Sequence, residues 1–104
     1  MKVKIPKQIK IAARTYNVIS DKHFIRDTGD RGRCTYHTQE IKFDGEMVGD
    51  TRNVTFLHEI VHIIDEHYCG REGIDEKVTC GLSEGIYQFL KEDLGIEFDW
   101  SNFR

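Results

Sequence analysis

The sequence predicts an α+β domain in which a small, mostly antiparallel sheet packs on two helices. Three observations carry this expectation. Residues before position 50 alternate polar and apolar with period two, residues 50–93 repeat apolar positions at helical spacing, and Gly- and Asp-rich breaks separate the segments. A chain of 104 residues is long enough for one compact domain and short for two. The expected division is 1–49 mainly strands, 50–93 two helices, and 94–104 a tail.

Lys2–Ile5 and Ile9–Ile11 alternate in the manner of half-buried strands, and Thr15–Ile19 is rich in β-formers. The segment Asp27–Gly32 reads as a loop. Cys34–His37 and Glu40–Phe43 read as further strands, closed by the turn pair Asp44-Gly45. Asp50 or Thr51 can then cap a helix running to about Tyr68. Its apolar positions (Val54, Phe56, Leu57, Ile60, Val61, Ile63, Ile64) cover about half the circumference at 100° per residue, leaving a polar strip of His58, Glu59, His62, Asp65 and Glu66. Such a helix belongs inside a domain, and its polar strip then needs partners. After the break at Gly70–Gly73, a second helix from about Asp75 to Asp93 is expected to bury Val78, Leu82, Ile86, Phe89 and Leu90, with Glu76, Cys80, Ser83 and Tyr87 beside that face. The tail offers Ile96, Phe98, Trp100 and Phe103 as a cover, as a strand or irregular.

Composition narrows the function classes. The formal net charge of -3 and an acidic C-terminal half argue against binding nucleic acid through its phosphates, despite the basic residues Lys2, Lys4, Lys7, Lys10 and Arg14. No apolar run approaches the ~20 residues needed to span a bilayer. No signal peptide is recognisable, and Cys34, Cys69 and Cys80 form no CxxC. The expected setting is therefore the cytoplasm, with free thiols.

The chemistry concentrates in His58-Glu59-Ile60-Val61-His62, an HExxH. Residues four apart share one helix face, so both imidazoles can reach one Zn2+ ion. Glu59, rotated by roughly 100°, is placed to act as the general base that takes a proton from a water acidified by the ion. The pattern also arises on ordinary helices, as two unconnected histidines and a solvated glutamate.

A third protein ligand is required for a catalytic zinc site. Asp65 and Tyr68 stand where the metzincin extension needs Gly and His, which excludes that class. His67 points about 140° away from His62, and Glu66 is about 12 Å along the axis from His58. The second helix offers Glu76, in its first turn, with Glu84 as the alternative. Asp65 could orient a ligand histidine or be plainly solvated. Tyr68 and Tyr87 could serve an oxyanion or simply pack. Cys80 could approach the metal or be a buried thiol. A structural site from Cys69, Cys80 and His67 lacks the paired spacing such sites use.

The segments Thr55–His62, Glu76–Leu82 and Gly85–Leu90 together resemble the small ImmA/IrrE-like metallopeptidases, nearest to the short phage or mobile-element type. Gln39–Phe43 resembles the strand preceding their active-site helix. The resemblance spans about residues 34–92, with HExxH its specific part. It implies a minimal zincin-like fold and a gluzincin-like zinc site, with two histidines from the HExxH and a glutamate from the next helix, matched here to Glu76. It also implies hydrolysis of a peptide bond in a protein substrate such as a repressor-type regulator. Independently of the resemblance, residues 39–43 are expected as the exposed edge strand nearest the site, able to pair with an extended substrate. The link from His62 to Glu76 is short for the family. Two readings from other classes stand beside this one: a zinc-stabilised, non-catalytic interaction module, and a DNA-binding regulator resting on the basic N-terminal strands.

Overall fold

The computed structural model describes residues 1–70 and 73–103. It is an α+β fold. The elements are β1 (Lys2–Lys4), β2 (Gln8–Ile11), β3 (Arg14–Asp21), α1 (Phe24–Thr28), β4 (Gly32–Thr35), β5 (Glu40–Asp44), α2 (Gly49–Tyr68), α3 (Glu76–Gln88) and β6 (Glu97–Asp99). A π-helical turn at Phe89–Asp93 extends α3, and a 3-10 turn at Ser101–Phe103 follows β6.

Four strands form one sheet in the order β2-β3-β5-β4. The pairs β2/β3 and β4/β5 are antiparallel, while β3/β5 is parallel. A second, two-stranded sheet joins β1 and β6 in parallel. The sheets are therefore mixed, and "mostly antiparallel" overstates the local pairing. Chain order explains this: β3 is followed by α1 and the edge strand β4, and the β4–β5 hairpin then returns β5 to the centre beside β3. Residues 39–43 are consequently no edge. β5 is bonded on both sides; the edges of this sheet are β2 and β4, and β4 is the one with the larger contact to α2.

Period-two alternation holds where the sheet meets the core. Tyr16 and Val18 of β3 and Ile41 and Phe43 of β5 are buried with Ile5, Met47, Phe56, Ile63 and Trp100. Trp100 closes this core from the tail, with its ring 5.3 Å from Phe56 and 4.8 Å from Phe43. Its indole N–H donates to Asn53 Oδ1 at 2.7 Å, so the polar end of the ring is satisfied.

Several local expectations change. Phe24–Thr28 forms a short helix closed by Gly29 at φ 80, so the loop expected at Asp27–Gly32 shrinks to the residues between α1 and β4. Helix α2 begins at Gly49 with Val48 at its N-cap and no side-chain cap. Asp50 does not cap because its carboxylate is taken by Tyr87 Oη and by Lys91 Nζ of the following helix. Asp75, in contrast, caps α3 by accepting from Val78 N at 2.8 Å.

The largest correction concerns the facing of α3. Thr79, Ser83 and Tyr87 are its buried residues, whereas Val78, Leu82, Ile86 and Phe89 are 42–50% exposed. Two helices approach closely when the residues between them are small. Thr79 Oγ1 donates to Asp75 O and Ser83 Oγ to Thr79 O, so both hydroxyls are satisfied within the helix and behave as small packing groups.

Candidate metal centre

Helix α2 lies between the sheet and α3, and its polar strip faces two neighbours. His58 and His62, one turn apart, look toward the first turn of α3. Glu59 turns inward toward β4.

The Nε2 atoms of His58 and His62 are 3.0 Å apart. The Glu76 carboxylate closes the triangle, with Oε1 at 2.7 Å from His58 Nε2 and Oε2 at 3.1 Å from His62 Nε2. Around a tetrahedral zinc with bonds near 2.0–2.2 Å, such donors would stand about 3.3 Å apart, a few tenths wider than found. Two ring nitrogens facing each other across 3.0 Å beside a carboxylate need hydrogens or a cation between them. Ring N–H groups donating to Glu76 can fill this space, and so can a divalent cation. Chemistry and spacing of the donors thus fit zinc. The structure therefore brings His58, His62 and Glu76 together. Glu84, two turns on, lines the groove that also holds His58, Glu59 and Glu76, beside Thr55 and Arg31, but it is Glu76 whose carboxylate contacts both histidines.

Glu59 is buried, at 6% exposure. Burial raises its carboxyl above the usual range, and the two neighbouring histidines pull it back down. The Cys34 thiol lines the same groove, and burial first, then the Glu59 charge, pushes it up to about 12, so Cys34 stays protonated at neutral pH. Tyr36, raised above its ordinary value mainly by burial, directs its hydroxyl toward His62 O at 3.4 Å. Close approach of β4 makes this possible. A Cβ on Gly32 would stand 2.8 Å from Thr55 Cγ2 and 3.2 Å from Lys42 O, with Glu59 Cγ at 3.5 Å. An open groove runs along this edge past Asp30, Gly32, Cys34, Tyr36 and the histidines.

Gly32, Cys34 and Tyr36 were not singled out from the sequence as site residues. Their signal is faint: three alternate residues beginning on the edge strand, with a glycine where a helix must come close. Cys80 is exposed rather than buried, and its Sγ lies 3.8 Å from His58 Nδ1 and 3.9 Å from Glu76 Oε1. His58, Glu76 and Cys80 thus form a second, overlapping group of donors within 4.8 Å of one another.

The remaining candidates serve packing. His67 Nε2 bonds Tyr16 Oη, away from the site. Tyr68 Oη accepts from Ala12 N, and Tyr87 Oη bonds Asp50 and Asn53, so neither reaches the histidines. Asp65 is buried but makes no side-chain bond to His62, and its Oδ1 has no partner among the described residues. No group of Cys69, Cys80 and His67 forms among them either. No helix among the described residues is long and apolar enough to cross a membrane. Scans against protein-family models, curated proteins and solved structures find no match to this chain.

Proposed function

We propose that this chain is a zinc-dependent, zincin-like metallopeptidase of the short ImmA/IrrE-like kind, acting in the cytoplasm on a peptide bond of a protein such as a repressor-type regulator. The observation that carries the reading is the meeting of His58 Nε2, His62 Nε2 and the Glu76 carboxylate within 2.7–3.1 Å, beside a buried glutamate. His58, His62 and Glu76 would hold the ion, which when bound supplies Lewis acidity to a scissile carbonyl and an attacking water. Glu59 supplies the proton acceptor. Its burial favours the protonated form and the histidines oppose this, a balance suited to a group that takes a proton and passes it to the leaving amine. The free edge of β4 offers unpaired backbone groups along the groove, to which an extended peptide can add as a strand.

Metal content of the wild type, His58→Ala and Glu76→Ala tests the site, and Glu59→Gln tests the chemistry. The expected result is about one zinc per chain, lost in the first two variants and kept in Glu59→Gln. Cleavage of a peptide library, read by mass spectrometry, should occur with wild type and vanish with Glu59→Gln. No zinc uptake overturns the reading.

The second reading, a zinc-stabilised interaction module that binds without cutting, is favoured by one observation. The stripe Val78, Leu82, Ile86 and Phe89 is exposed along α3, the helix that carries Glu76, and its π-helical extension. Zinc bound without any Glu59-dependent cleavage would decide for it.

A further inference from the structure

We propose that Cys80 is a fourth, displaceable ligand, so that the resting metal site is a closed His58–His62–Glu76–Cys80 set; this rests on the zinc reading above. Cys80 follows Glu76 by one turn of α3, so both side chains leave the helix on the same side, toward α2. Its sulfur is already 3.9 Å from Glu76 Oε1. The sulfur lies on the Nδ1 side of His58, so ligation through the shared Nε2 face takes a rotation about the Cα–Cβ bond. Cys80 is exposed, so core packing does not fix its rotamer.

Four protein donors complete the tetrahedron that structural zinc sites use, whereas catalytic sites keep one position open. With Cys80 seated, a substrate reaches the metal only after the thiolate leaves. The residue therefore decides between the two functional readings: bound, the site is structural and latent; displaced, it is open. The competing role for the same sulfur is to accept a hydrogen bond from His58 Nδ1–H and orient the ring, without touching the metal.

Cobalt substitution separates these roles. The full-length protein, freed of metal and titrated with Co2+, should show a near-ultraviolet thiolate-to-cobalt charge-transfer band in wild type. Cys80→Ala and Cys80→Ser should still bind Co2+ through the other three residues but lose that band, and Cys34→Ala and Cys69→Ala should keep it. Co2+ bound by the wild type without the band overturns the proposal and leaves the three-ligand site standing. A band that survives in Cys80→Ala but disappears in Cys34→Ala or Cys69→Ala also overturns it. Failure to take up Co2+ at all overturns the site itself.

Discussion

Helices α2 and α3 lie side by side with similar apolar patterning, yet they bury opposite kinds of surface. Helix α2 presents Phe56, Val61 and Ile63 to the interior and buries Glu59 and Asp65 with them. Helix α3 buries Thr79, Ser83 and Tyr87 and leaves its large aliphatic stripe outside. The difference comes from what each helix faces. Helix α2 meets a sheet whose side chains leave room for large partners. Helix α3 meets another helix near Glu76 and the two histidines, where small Thr79 and Ser83 allow close approach, while Tyr87 packs farther along at Asp50. Facing is thus set by the partner, with hydrophobicity deciding only when the partner is a core.

The sharpest test sets one side chain from each helix against the other. Ile63→Ala should cost about 2–5 kcal/mol in chemical denaturation, since the residue is fully buried. Leu82→Ala should stay within about 0.5 kcal/mol. Equal losses would break the comparison, because they would mean that the α3 stripe is covered in solution. Next, Ser83→Leu should cost about 1–3 kcal/mol by overpacking the seam. It should also weaken zinc binding, because it pushes Glu76 away from the histidines; unchanged zinc affinity would show that α3 is not held by this contact.

A smaller effect belongs to the pin between the two helices. The Tyr87 hydroxyl, followed by Lys91, holds the Asp50 carboxyl below its ordinary value. A lowered folded value means stability that is complete above the ordinary carboxylate range and is lost as pH falls through the folded value. Asp50→Asn should therefore reduce the thermal midpoint slightly at neutral pH and leave it unchanged in acid. A deficit that persists in acid would assign the loss to geometry instead of charge. The smallest change lies at the far end of α2, where Tyr68 Oη accepts from Ala12 N in the β2–β3 turn. Ala12 and Ala13 both adopt positive φ, 53° and 61°, which a two-residue hairpin turn demands and alanine resists. Ala13→Gly should stabilise the protein by about 0.5–1 kcal/mol, measured as a raised denaturation midpoint.

Much of this was legible in residue order. The strands at Thr15–Ile19 and Glu40–Phe43, the two helices and the packing tail follow from periodicity, because alternation and helical repeat survive in a single sequence. The spacing of His58 and His62 is local, and so is their common helix face. Glu76 was reachable because few acidic residues stand early on the next helix. Edge and centre of the sheet were not legible: β4 and β5 have similar local patterns, and only the long-range β3/β5 pairing puts β5 inside. The role of Cys34 was hidden for the same reason, since its contact with Glu59 joins residues 25 apart. The α3 face was misread because Thr79 and Ser83 look polar, while their hydroxyls are spent on the helix's own carbonyls.

The central position of β5 has a consequence in time. The β4–β5 hairpin is local and can close within microseconds, but β5 must then fit against β3 across an intervening helix, a contact between distant parts of the chain that forms more slowly. Ile41 and Phe43 become buried only in that step, and the platform beneath α2 is incomplete until it happens. A chain emerging stepwise during synthesis therefore holds its HExxH helix without a seat until the hairpin has docked, and the order of assembly places the sheet before the meeting of His58, His62 and Glu76.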